Sequence, residues 1–178
     1  MKVMKHISPP RLNKRLVRQH GSVIVEFALV LTLLITLMAG IFEFGRAFWY
    51  YDTLSKATRD GARLMAMVAT TDIASGVGLT QTRVVNAVSA AGVPNFLTTN
   101  VTVTCLNAAY AVITCANVSV TPPVTPPAAA PWGVRVQIVG YTMTIGQFIP
   151  FLIGANSNYT TTLSPHTTMR YMPLGTAP

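Results

Sequence analysis

Apolar residues form one long run near the start of the chain. Residues 27–42 carry no charge, residues 23–25 lengthen the run before Glu26, and Phe44 with the aromatic-rich residues 47–51 lengthens it after Glu43. Such a run approaches the ~20 residues that cross the hydrocarbon core of a bilayer as a helix. The aromatic cluster is typical of a membrane–water interface. The pattern therefore predicts a membrane-spanning helix.

Helical spacing of apolar positions continues beyond this run, and no proline interrupts residues 22–68. The positions that continue it are Ala47, Leu54, Ala57, Gly61, Leu64 and Val68. We therefore predict one helix over residues 22–70, with its first half in the membrane. The second half is amphipathic and needs a partner surface, either its own domain or a neighbouring subunit.

The remaining residues, 71–178, predict a small domain. Residues 72–79 are interpreted as a Gly- and Ser-containing link, followed by a helix over residues 81–91 with Thr80 as its N-cap. Alternation of Val, Ile and Thr predicts strands, and the Pro-rich residues 121–131 predict a stiff loop between them. The strand candidates are residues 101–104, 112–120, 134–138 and 141–145. The predicted fold class is α+β: a long N-terminal helix, then a short helix and antiparallel strands.

The basic residues are unevenly distributed. The net charge is +8, yet six of the 13 Lys and Arg residues precede Gly21, and from Ser22 onward seven basic and five acidic side chains leave a net of +2. A nucleic-acid binder carries its basic patch on the folded domain, so this distribution argues against such a partner. Basic residues before an apolar run instead predict a cytoplasmic leader, residues 1–21, with the distal domain outside the cytoplasm.

The two cysteines, Cys105 and Cys115, lie ten residues apart, each near a strand candidate. A hairpin that turns at residues 107–109 would bring them within bonding range, and a disulfide there would contribute roughly 3 kcal/mol. A disulfide requires an oxidising compartment, in agreement with export of the domain. Two buried free thiols are the alternative. The spacing does not resemble a zinc site, and no metal is predicted.

Catalysis is not expected. No Asp or Glu follows Asp72, and His166 is the only histidine beyond the leader. The domain therefore cannot build a Ser-His-Asp triad or a pair of carboxylates for acid–base chemistry. We predict no catalytic residue and no cofactor.

The most informative residues surround the boundary between leader and apolar run. An ionisable side chain such as Glu26 costs ~2.5–3.5 kcal/mol at the centre of a membrane and so indicates a function. Proteolysis after Gly21 would give Ser22 a free α-amino group, which Glu26 of the same or a neighbouring chain would pair with, setting the axial register of stacked subunits. The alternative is that Glu26 simply lies among the lipid headgroups.

These residues also carry a family resemblance. Gly21, four residues and then Glu26-Phe27 resemble the cleavage motif of type IVb prepilins. The sequences VEFALVL from Val25, GIFEFGRA from Gly40 and ATRDGAR from Ala57 are similar to the signature of TadE-like proteins, and LSPHTTMR from Leu163 is similar to the closing segment of that family.

The resemblance implies a minor pseudopilin of the tight-adherence (Flp, type IVb) pilus. A prepilin peptidase would recognise Glu26 and Phe27 and cleave between Gly21 and Ser22. Other pilins, the inner-membrane assembly platform and membrane lipid would be its partners. The protein would cross the bacterial inner membrane once, with a cytoplasmic N-terminus and a periplasmic domain, or enter the surface pilus.

Three alternatives stay open at this point. One is a TadG-like chain, from a family with a similar N-terminal helix and a larger distal region. An anchored envelope protein would never be processed. A secreted protein would be cut by signal peptidase near Gly40, although Leu37-Met38-Ala39 fits that specificity poorly.

Overall fold

The computed structural model describes residues 19–118, 130–146 and 159–172. The chain divides into two compact units, Met1–Ile41 and Phe42–Pro178. Most of the predicted leader and most of the predicted Pro-rich loop lie outside the described residues.

In the first unit the described residues belong to helix α1, Gln19–Ala66, which is 48 residues long. The helix is long and apolar enough to cross a membrane, and none of its most apolar 18-residue stretch is buried. Thr32 and Thr36 donate hydrogen bonds to the carbonyls of Ala28 and Thr32, each at 2.8 Å. These bonds satisfy the two hydroxyls within the helix itself, as a hydrocarbon environment requires.

In the second unit the remainder of α1 packs against helix α2, Ile73–Ala90. A short 3₁₀ turn, Thr70–Asp72, connects the two helices. The prediction of a link over residues 72–79 with Thr80 as N-cap is wrong, because α2 begins at Ile73 and Thr80 is fully buried within it. Packing overrides the low helix propensity of glycine here: a Cβ atom on Gly76 would stand 2.8 Å from Cγ1 of Val68.

Among the described residues, six strands belong to the second unit. They are β1 (Val101–Leu106), β2 (Val112–Ile113), β3 (Gly133–Ile138), β4 (Tyr141–Ile145), β5 (Tyr159–Leu163) and β6 (His166–Arg170). An antiparallel sheet has the order β2-β1-β3-β6, and β4 pairs with β5 in a second antiparallel sheet. Of the strand predicted over residues 112–120, only Val112–Ile113 is a strand among the described residues. The strands β5 and β6 were not predicted.

The larger sheet buries one face against the helices. Alternate residues of β3, Val134, Val136 and Ile138, are fully buried. Val136 and Ile138 share a core cluster with Leu54 of α1 and Val84 of α2. The observed order of a long apolar helix, a second helix and antiparallel strands confirms the predicted α+β fold.

Candidate processing and assembly site

The bond between Gly21 and Ser22 lies close to the beginning of α1, which starts at Gln19. Both residues are exposed, and a Cβ atom added to Gly21 would meet no atom within 4 Å. Glycine weakens a helix by roughly 0.5–1 kcal/mol relative to alanine. The predicted cleavage bond is therefore exposed and lies in a weak first turn.

Glu26 and Phe27 follow one turn later and are also exposed; the side chain of Phe27 is 66% exposed. Because residues four apart share a helix face, Glu26 lies on the same face as Ser22. Among the residues that the structure describes, the ion pairs join Glu43 to Arg46 and Asp52 to Lys56, so Glu26 takes part in neither. Its carboxylate is accessible to an amine from outside the helix.

A buried ion pair lies further along α1, in the second unit. Arg46 Nη2 lies 2.8 Å from Glu43 Oε2 and also donates to the carbonyl of Thr144 in β4 at 2.9 Å. The Glu43 side chain is 4% exposed and that of Arg46 is 21% exposed. The pair therefore fastens the smaller sheet to the helix. Sequence reasoning missed it, although the spacing of three residues between opposite charges was a signal for a helical ion pair.

Tyr141 of β4 lies beside this pair. Its hydroxyl donates to the carbonyl of Pro94 at 3.2 Å, and its ring makes an edge contact with Phe96. Burial raises the pKa of Tyr141 above its usual range, Tyr50 raises it further, and Arg46 opposes the rise. The neutral hydroxyl is thus the form that the fold stabilises.

The two cysteines form a covalent link between β1 and the segment after β2. The structure contains a disulfide between Cys105 and Cys115, with Cα atoms 5.2 Å apart. The segment just after it contacts α2 and the 3₁₀ turn before it. Asn117 Oδ1 accepts a hydrogen bond from the Ala74 amide of α2 at 2.8 Å, and the Val118 amide donates to the Thr70 carbonyl of the turn at 2.8 Å. Asn117 thus supplies a cap to the first turn of α2 from 43 residues away.

Ligands for a metal ion do not gather in the part of the chain that the structure describes: no three His, Cys, Asp or Glu residues lie together there. The predicted processing and register residues, Gly21, Ser22, Glu26 and Phe27, all lie exposed within the first turns of α1.

Comparison with known proteins agrees with the resemblance in the sequence. Residues 21–63 match the family model described as TadE-like protein, which confirms the predicted likeness over that stretch. The match begins at Gly21 and includes Glu26, the Glu43–Arg46 pair and Gly61. No curated protein and no solved structure matches the chain significantly. The matched stretch is 43 of the 178 residues of the chain.

Proposed function

We propose that this chain, which carries a TadE-like sequence over residues 21–63, is a minor pseudopilin that takes part in assembly of a tight-adherence (Flp, type IVb) pilus. The proposal depends on one observation: the family match starts at Gly21, the residue after which the sequence predicts cleavage, and continues along α1. Its partners would be a prepilin peptidase, other pilins and the inner-membrane platform of the Tad system.

Physical support for membrane anchoring comes from the apolar part of α1. Its large side chains are exposed, and water is a poor solvent for so continuous an apolar surface. Six basic residues precede Gly21 and would retain the leader in the cytoplasm. The domain formed by α2 and the strands would then lie in the periplasm, an oxidising compartment that suits the Cys105–Cys115 disulfide.

Cleavage would create the partner that Glu26 lacks in the described structure. A new α-amino group at Ser22 would be positively charged at neutral pH. A cation near the Glu26 carboxylate would offset part of the cost of placing that carboxylate in hydrocarbon. If the amine belonged to a neighbouring subunit, the pair would form at one axial offset only and would set the register of stacking.

The direct test is N-terminal sequencing of the protein recovered from membranes. The proposal predicts Ser22 as the first residue. Gly21→Asp should leave a precursor longer by the leader, whereas Gly40→Ala should be processed normally, because a Cβ atom at Gly40 meets nothing within 4 Å. Mature-sized protein from Gly21→Asp would exclude this cleavage bond.

The alternative is an envelope protein, TadG-like or unprocessed, that stays anchored and never enters a fibre. It is supported by the length of the apolar helix alone, since a helix of this kind anchors a domain without cleavage. The same sequencing experiment separates the two proposals: the original N-terminus in the membrane fraction favours the unprocessed anchor. A start near Gly40 would indicate signal peptidase and oppose both.

A further inference from the structure

The larger sheet has a second face, directed away from the helices. Because side chains alternate across a strand, the residues between the buried positions of β3 lie on this outer face. Neighbouring strands extend it through register pairs such as Arg135 with Thr168 and with Thr104. The polar residues of this outer face are Thr102, Thr104, Arg135, Gln137, His166, Thr168 and Arg170, and the same register adds Leu106 of β1 and Val112 of β2 at the end beside Arg170. All seven polar residues are half-buried or exposed.

The charge on the outer face has one sign. It carries Arg135 and Arg170, and neither takes part in the ion pairs found among the described residues. No Asp or Glu side chain exists anywhere after Asp72, so that part of the chain offers no carboxylate side chain to neutralise them. Glu43 is buried in its ion pair on α1, and α1 packs against the opposite face of the sheet.

One end of the outer face carries aromatic rings. Tyr110 and Trp132 make an edge contact with ring centroids 4.9 Å apart. The Arg170 guanidinium lies 5.7 Å from the centroid of the Trp132 ring. Tyr110 is 55% exposed. A ring surface thus adjoins a fixed cation, while hydroxyl and amide groups continue along the sheet.

We infer that the outer face binds an acidic polysaccharide. Guanidinium groups form short, charge-assisted hydrogen bonds to carboxylates. Thr and Gln side chains complement sugar hydroxyls because they both donate and accept. The exposed Tyr110 ring, which stands at 69° to the Trp132 ring, provides an apolar surface for the less polar face of a sugar ring. The inference is independent of the proposed pilus role.

Two other occupants fit the outer face less well. A single-stranded nucleic acid is bound by a basic groove with aromatic rings for successive bases, whereas this face has two arginines and one aromatic pair. A second copy of the same face would bring Arg135 and Arg170 against like charges, which costs energy. Charge complementarity therefore favours a carboxylate-bearing chain of sugars.

Trp132 provides a local reporter for the test. The chain contains two tryptophans, Trp49 and Trp132, so Trp49→Phe leaves Trp132 as the only one. This full-length variant, held in phosphatidylcholine nanodiscs, would be titrated with polygalacturonate while Trp132 emission is followed. Fully methyl-esterified polygalacturonate serves as the uncharged probe of the same backbone. The basic leader also attracts polyanions, so arginine variants of the outer face are needed to distinguish binding there from binding to the leader.

We expect polygalacturonate to change Trp132 emission saturably and the methyl ester to bind at least tenfold more weakly. Arg135→Gln and Arg170→Gln should each weaken binding about five- to tenfold, since each removes one charge-assisted contact. Arg83→Gln, an exposed arginine of α2, should leave the affinity unchanged. Added salt should weaken binding of the acidic probe.

Several outcomes would overturn the inference. These are no change in Trp132 emission at saturating polygalacturonate, equal binding of the methyl ester, or equal losses in Arg83→Gln and Arg135→Gln. Tighter binding of poly(dT) than of polygalacturonate would assign the face to nucleic acid. A Trp132 signal that depended on protein concentration alone would assign it to a second copy of the chain.

Discussion

Gly61 of α1 lies so close to α2 that a Cβ atom on it would stand 2.6 Å from Cγ2 of Val84. The same atom would lie 3.3 Å from Cγ2 of Thr80 and 3.5 Å from Cγ1 of Val136 in β3. Gly61 therefore lies where α1 is enclosed between the second helix and the sheet. We expect Gly61→Ala to lower the free energy of unfolding by about 1–3 kcal/mol, because it overpacks a closed space.

Urea unfolding of the detergent-solubilised chain would measure this change. Gly45→Ala is the matched control on the same helix, since a Cβ atom there meets nothing within 4 Å. It should be neutral or stabilising by up to ~1 kcal/mol through helix propensity. Val84→Ala in the Gly61→Ala background should restore part of the loss. Equal effects at Gly61 and Gly45 would contradict the close approach of the helices.

The buried ion pair predicts a second difference. Glu43→Gln removes the negative charge beside the Arg46 guanidinium in a mostly enclosed site, and we expect a loss of about 2–3 kcal/mol. Asp52→Asn breaks the exposed ion pair with Lys56; the Lys56 side chain is 70% exposed and that of Asp52 is 43% exposed. This substitution should lower the free energy of unfolding by at most ~0.5 kcal/mol. Urea unfolding curves of both variants would measure the two losses. Equal losses would contradict a larger contribution from the buried pair.

Reduction of the disulfide should loosen the beginning of α2. Breaking a loop of this size costs roughly 3 kcal/mol in the chain-entropy model. Because Asn117 caps the Ala74 amide just beyond Cys115, hydrogen exchange at Ala74 should accelerate on reduction. Asn117→Ala should also accelerate it, with a loss of about 1 kcal/mol, while the disulfide stays intact. Asn86→Ala, on the exposed surface of α2, is the control, and similar exchange in both variants would refute the cap.

Stability should fall in alkaline solution through Tyr171. Its hydroxyl donates to the Val68 carbonyl at 2.6 Å, and burial raises its pKa above the usual 10.0. An acid whose folded pKa is raised contributes stability below the unfolded pKa, and that contribution is lost as pH rises above 10 through the folded value. In Tyr171→Phe, the free energy of unfolding should decrease less between pH 8 and 11 than in the original chain. Part of the decrease should remain, because the pKa of Tyr141 is also raised. An unchanged dependence of stability on pH in Tyr171→Phe would contradict the contribution of this hydroxyl.

Glu26→Ala tests the register hypothesis. The substitution makes α1 more apolar, so membrane insertion should persist while incorporation into the pilus machinery is impaired. Membrane fractionation and co-purification with other pilins would be compared for the variant and the original chain. Normal piliation with Glu26→Ala would contradict the proposed pairing of Glu26 with the Ser22 amine.

The sequence was sufficient for features that repeat along the chain. The uncharged run, the helical spacing after it and the alternation of apolar and polar residues in β1, β3 and β4 each carry a local signal. These elements were predicted near their observed bounds. Gly21 and Glu26 were identified because a glycine and an acid stand out beside hydrocarbon. Their predicted roles in cleavage and register await the experiments above.

Features that depend on distant contacts could not be read from the sequence. The start of α2 was misplaced because Gly76 is a weak helix former, and only its contact with Val68 explains its place in the helix. The strand β6 was missed because its exposed and inward residues, such as Thr168 and Thr167, are chemically alike. The partners of Arg46 and Asn117 also lie far away in sequence, at Thr144 and Ala74.

Hydrogen bonds join α1, and Val68 two residues beyond its end, to late parts of the chain: Arg46 with Thr144, Thr58 with Thr167, Ala66 with Met172 and Val68 with Tyr171. The pairs of Arg46, Thr58 and Val68 are separated by 98, 109 and 103 residues. During synthesis the helix therefore exists long before the groups that enclose its inner face. A nascent chain that stops short of β6 lacks Met169 and Tyr171, which pack in the buried cluster that contains Met65. The domain therefore completes its packing only after β6 has been made. Until then, the apolar side chains of this cluster must be shielded from other chains.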